Sequence, residues 1–107
     1  MKPIIVEPVV YVLQLEDEKI YVGITYNFNL RYAQHLCGQG AKWTRLHRPL
    51  HVIEIHPAGS YELENAKTKE FMDRCGWDNV RGGYWCQIKY RERPAKSLQK
   101  ESPASSA

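Results

Sequence analysis

Four side chains in this sequence are of types, and at spacings, that could do chemistry together. Tyr11 and Tyr21 lie in the stretch VVYVLQLEDEKIYVG, each among β-branched residues, on either side of the acidic run Glu16-Asp17-Glu18. If those three residues form the loop of a hairpin, Leu15 opposes Lys19 and Leu13 opposes Tyr21. Tyr11 then becomes the diagonal neighbour of Tyr21 on one face of the pleat. Val10, Val12, Ile20, Val22 and Ile24 collect on the other face, the core side. Further on, Arg31 and His35 stand at i and i+4 in NLRYAQH and share a helical face. From Lys19 to Ile53 the chain holds no Asp or Glu, while Lys19, Arg31, Lys42, Arg45 and Arg48 all fall inside, interleaved with Tyr32 and Trp43. A phosphate-binding face requires such a composition. The same stretch is equally a solvated surface that lacks acids, and charge alone does not choose between the two.

The elements that must position these groups follow from pattern and punctuation. Val9 to Leu15 and Lys19 to Thr25 read as paired strands, although the loop lacks the glycine that a three-residue hairpin turn prefers. Asn27 or Asn29 can cap a helix running to about Leu36, with Gly38 ending it. GQGAKWTRLHRP is turn-rich, with a short helical turn over Ala41 to Leu46. Leu50 to His56 alternates as a third strand, and Ser60 caps a second long helix that Gly76 ends. Asp78 to Gln87 reads as a turn leading into a short extended piece. The expectation is an α/β (α+β) domain over residues 1–90: a three-stranded, mostly antiparallel sheet flanked by helices. Beyond Tyr90 the composition shifts to Arg, Pro, Lys, Ser and Ala, so residues 91–107 are expected to form a disordered tail.

The composition narrows the classes. A chain of 107 residues, 43% of them hydrophobic, supplies one domain with one core. No apolar run approaches a membrane span and no signal-type segment is present, so a soluble intracellular protein is expected. Cys37, Cys75 and Cys86 are odd in number and form no CxxC pair, which argues for reduced thiols, small and buried. With His35, His47, His51 and His56 they match no zinc module. The net charge of +3 does not by itself imply a nucleic-acid partner.

The order strand, strand, helix, strand, helix, with the two tyrosines, resembles the GIY-YIG endonuclease family. Its two name-giving tripeptides correspond to Val9-Val10-Tyr11, where Val9 replaces the usual glycine, and to Tyr21-Val22-Gly23. The family's Arg-x-x-x-His matches Arg31 and His35, and GQGAKWTRLHRP is similar to its glycine-rich Thr-Arg segment. The family's single metal-binding glutamate falls within ELENAKTKEFM, which offers Glu62, Glu64 and Glu70; Glu64, followed by Asn, is the best match. DNVRGGYW resembles the ending of small stand-alone members.

This resemblance implies metal-dependent hydrolysis of DNA phosphodiesters, with RNA left open. Glu64 would hold Mg²⁺ or Mn²⁺, because such ions keep several waters and need few protein ligands. Arg31 would donate to the phosphate oxygens. Either tyrosine could serve as base; the expectation leans to Tyr21, with Tyr11 positioning the phosphate and His35 orienting a tyrosine or relaying its proton. Cations nearby would favour the phenolate. A lysine common after the second tripeptide is Ile24 here. Lys42, Trp43, Thr44, Arg45 and Arg48 are the expected nucleic-acid contacts, with a cap on the core an equal alternative for Trp43. So small a domain has little surface for base readout, so target choice would come from DNA structure, a partner protein or a homodimer. The rival reading is a nucleic-acid-binding module with a degenerate, inactive site.

Overall fold

The computed structural model describes residues 7–86. Its elements are β1 (Val9–Leu15), β2 (Ile20–Thr25), α1 (Phe28–Leu36), α2 (Lys42–Leu46), β3 (Pro49–His56), α3 (Tyr61–Cys75) and β4 (Val80–Gly82). The expected tail lies outside the described residues.

The hairpin takes the register that its alternation dictates. Leu13 faces Tyr21 and Val12 faces Val22, and the Leu15 amide donates to the Lys19 carbonyl at 2.8 Å. The turn does without glycine by placing Asp17 and Glu18 at φ of 61° and 60°. The left-handed region is least costly for a short side chain such as Asp, which can bond locally; here the Asp17 carboxylate meets His47 Nδ1 at 3.1 Å. Asn27 caps α1 through a bond from the Leu30 amide, and Ser60 caps α3 through one from Leu63.

The sheet has four strands rather than the expected three, in the order β3-β1-β2-β4. β1 runs antiparallel to both β2 and β3, whereas β4 lies parallel to β2, with Tyr21 beside Arg81. β4 has only three residues and ends at Gly82, so it carries no alternation that pattern reading could detect. α3 covers one face: Phe71 and Met72 close on Val10, Val12, Ile20 and Val22. α1 and α2 cover the other, where Phe28, Tyr32 and Trp43 pack around Tyr11, Leu13 and Leu15. The tyrosine face is therefore a second core. α3 has a ragged apolar stripe because it buries Thr68 as well, whose hydroxyl donates to the Glu64 carbonyl at 2.7 Å. All three cysteines are free and exposed, not buried as their residue type suggested.

Candidate active site

The site begins at a glycine. Gly23 stands opposite Tyr11 in the β1–β2 pair, and a Cβ there would fall on the Tyr11 phenol. Only glycine lets that ring lie flat across β2. Tyr11 is fully buried, and its hydroxyl is 2.8 Å from His35 Nε2. His35 Nδ1 is in turn 2.9 Å from Thr44 Oγ1, which sits 2.9 Å from the Ala41 carbonyl. A carbonyl can only accept, so the single Thr44 proton goes to Ala41. Thr44 then accepts from Nδ1–H, which leaves the Nε2 lone pair to accept the Tyr11 proton. Gly40 completes the cradle, since a Cβ at that position would collide with the imidazole.

Tyr21 stands in front of this buried chain. Its ring centroid is 6.2 Å from that of Tyr11 and 5.1 Å from that of His35. Unlike Tyr11 it is partly exposed, and it lines a cleft of about 340 Å³ together with Lys42, Glu64, Gly83 and Cys86. Burial pushes both phenols above their ordinary value of 10.0, against the opposing pull of Arg31 through charge and hydrogen bonding. The cations expected to favour a phenolate are thus outweighed by desolvation in the protein as it stands. His35 moves the other way: burial first, then the Arg31 charge, lowers it to about 4, so it is neutral at pH 7.

Glu64 projects from the first turn of α3 and is 8% exposed. Burial raises its carboxyl above the usual 4.5, and the Gly83 amide partly offsets this by donating to it. Among the described residues no three His, Cys, Asp or Glu side chains converge on one point. A lone, under-compensated carboxylate in a cleft with room for several waters suits a hard divalent ion that keeps its own waters, and does not suit a four-ligand zinc centre.

The chain has counterparts among known sequences. Residues 7–70 match the model of the GIY-YIG catalytic domain, which is more than half of the chain. The chain belongs to the GIY-YIG family. A UPF0213 protein of Cupriavidus necator is 44% identical over 43 residues, 40% of this chain and 47% of that relative. A UPF0213 protein of Autographa californica nuclear polyhedrosis virus is 39% identical over 62 residues, 58% of this chain and 59% of the viral one. One from Staphylococcus aureus is 39% identical over 44 residues, 41% of this chain and 54% of the relative. The matches thus span about half the length of these relatives. No solved structure matches.

In this GIY-YIG domain, Tyr11, Tyr21, Arg31, His35 and Glu64 act on one another within one region, Arg31 and Glu64 each influencing both phenols. Of the other glutamates, Glu62 is exposed and Glu70 is paired with Lys67 and Arg74. The expected nucleic-acid residues divide. Lys42, Arg45 and Arg48 are exposed, whereas Trp43 and Thr44 are buried, with Trp43 lining the Glu64 cleft. Trp43 is a core residue whose Nε1 donates to the Ile20 carbonyl at 2.9 Å and whose ring carries the Arg81 guanidinium 4.6 Å from its centroid. Thr44 holds His35 instead. Gly23, Gly40 and Gly83 also shape the site, and each lies inside a stretch that carries the family resemblance: Tyr21-Val22-Gly23, GQGAKWTRLHRP and DNVRGGYW.

Proposed function

We propose that this domain is a divalent-metal-dependent endonuclease that hydrolyses DNA phosphodiesters, choosing its target by DNA structure more than by base sequence. The observation that carries the reading is that a partly exposed phenol and a buried, poorly compensated carboxylate line the same cleft. Glu64 would hold Mg²⁺ or Mn²⁺, which when bound supplies positive charge at the scissile phosphate. Tyr21 would be the base, because it reaches the cleft while Tyr11 does not. Burial holds it as a phenol, so it must first give its own proton to solvent, with Arg31 favouring the phenolate, which then takes a proton from the attacking water. Arg31 counters the charge that develops on the phosphate oxygens. Tyr11 and His35 form the wall behind Tyr21 and hold it in place. Lys42, Arg45 and Arg48 meet the backbone phosphates.

A second reading, a binding module without catalysis, is favoured by the burial that holds both phenols protonated and by Val9 and Ile24 at family positions for Gly and Lys. Incubation with supercoiled plasmid and with nicked, flapped and branched DNA, in Mg²⁺, Mn²⁺ or EDTA, separates them. Nicking with metal that vanishes in the Glu64→Ala protein, while DNA binding persists, supports the nuclease. Binding with no nicking of any substrate in either metal refutes it.

A further inference from the structure

A second polar cavity, of about 230 Å³, lies on the far side of His35 from the phenols. Its floor is the buried edge of His35 and Thr44, and Arg45 and Arg48 stand at its mouth. Neither guanidinium has an ion-pair partner among the described residues, although the Glu16 carboxylate accepts the Arg48 backbone amide at 3.2 Å. None of the residues lining it lines the Glu64 cleft. The wall between the two is α2: Lys42 at its start faces the cleft, and Arg45 one turn later faces the cavity. Lys42 and Arg45, at i and i+3, are neighbours on one face of α2, so a strand laid along that face would meet both cations.

We propose that this cavity seats a non-scissile backbone phosphate of the nucleic-acid strand whose scissile phosphate occupies the Glu64 cleft. The proposal rests on the nuclease reading for its placement of the scissile group, but not for the binding itself. Two guanidiniums are the donors that grip a phosphate through paired N–H groups. The cavity exceeds the roughly 30 Å³ of a water several-fold, which leaves room for a phosphate and its waters. The seat fixes how the strand crosses α2, and so which bond lies over Glu64.

The test uses the full chain in EDTA, with a labelled oligonucleotide followed by fluorescence anisotropy across a salt series. The Arg45→Ala/Arg48→Ala protein should bind roughly tenfold or more weakly, and its slope of log affinity against log salt should be shallower by about 0.7 to 0.9. Arg45→Lys/Arg48→Lys, which keeps the charge, should recover most of the slope and so excludes misfolding as the cause. Single methylphosphonates, which remove one phosphate charge at a time, are then walked along the oligonucleotide. One position should cost the parent about as much as the double substitution does, and should cost the double variant nothing further. An unchanged salt slope, or methylphosphonate losses that are the same in both proteins at every position, overturns the seat. So does inorganic phosphate alone binding the parent as tightly as the oligonucleotide, which would make the cavity a site for the free anion. Binding with the expected pattern but without cleavage in Mg²⁺ or Mn²⁺ upholds the seat and removes the nuclease. Absence of any nucleic-acid binding removes both.

Discussion

Replacing Thr44 by Val tests the proton order inferred for the buried chain Tyr11–His35–Thr44. The substitution keeps the shape and deletes the hydroxyl that takes the His35 Nδ1 proton. Two arrangements remain. If Nδ1 keeps its proton, that donor is buried without an acceptor. If the imidazole switches to Nε2–H, it donates to Tyr11, whose own proton is then stranded beside a ring with no lone pair facing it. Tyr11 and His35 are 0% and 1% exposed, so rescue by water is confined to the His35 edge that floors the Arg45–Arg48 cavity. An orphaned buried donor costs about 1–3 kcal/mol, and about 2 kcal/mol in a domain of this size lowers Tm by roughly 10 °C. Thr44→Ser retains the hydroxyl and loses one methyl, worth about 1 kcal/mol. The ordering expected is therefore parent, then Ser, then Val, measured by urea and thermal unfolding. The ¹⁵N shifts of His35 should report Nδ1–H in the parent and Ser proteins and a changed state in the Val protein. A Val protein within about 0.5 kcal/mol of the parent, or a parent imidazole protonated at Nε2, would refute the assignment.

Other outcomes follow from the same geometry. Glu64 has its carboxyl raised by burial, so the folded state holds this proton longer than the unfolded one, and the stability it contributes falls as pH climbs above 4.5. Glu64→Gln should therefore be slightly more stable than the parent at pH 7 yet inactive. Mn²⁺ should raise the Tm of the parent but not of this variant. His35 is lowered from 6.5 to about 4; the unfolded state takes its proton first, so stability on the order of 3 kcal/mol is present above pH 6.5 and lost on acidification through pH 4. A His35→Gln protein should show a flatter urea midpoint between those pH values, and parallel profiles would contradict the burial argument. Gly23→Ala puts a methyl on the Tyr11 phenol and should cost about 1–3 kcal/mol along with cleavage. Gly38→Ala meets no atom within 4 Å at its φ of +82°, so it should cost about 1 kcal/mol and leave cleavage intact. Tyr21→Phe should abolish turnover with binding and Tm preserved, whereas Tyr11→Phe should lower Tm first, by removing the donor to His35. Equal kinetic defects with equal Tm would erase the distinction between the two tyrosines.

Much of this arrangement is legible from sequence for a local reason. The hairpin register needs only alternating β-branched residues and a turn too short to slip, so Tyr11 and Tyr21 are paired before any long-range contact is known. Arg31 and His35 share a face because helical spacing is local too. What hides is whatever depends on elements meeting across the fold. The sequence leaves Trp43 equally open as a contact residue or a cap on the core, and nothing near Thr44 says that its hydroxyl will reach a histidine nine positions earlier. Gly23 and Gly40 fall inside recognised motifs, but only the fold shows which ring each admits by lacking a Cβ. Glu64 emerged from family likeness, because its own helix is too ragged to mark one face. β4 escaped because three residues carry no period.

The burial of the phenol face also changes what the two tyrosines can do. On an open sheet surface they would be near equivalents, each within reach of water and of the same cations. Packed beneath α1 and α2, they differ in the property that matters for a base. Tyr11 exposes nothing and already spends its proton on His35; Tyr21 keeps an edge in the cleft beside Glu64. A group that never meets water cannot deprotonate it. The second core therefore divides the pair, turning one tyrosine into a fixture and leaving the other to face the cleft. That division comes from the glycine opposite Tyr11 and the helix that closes over it, not from the tyrosines themselves.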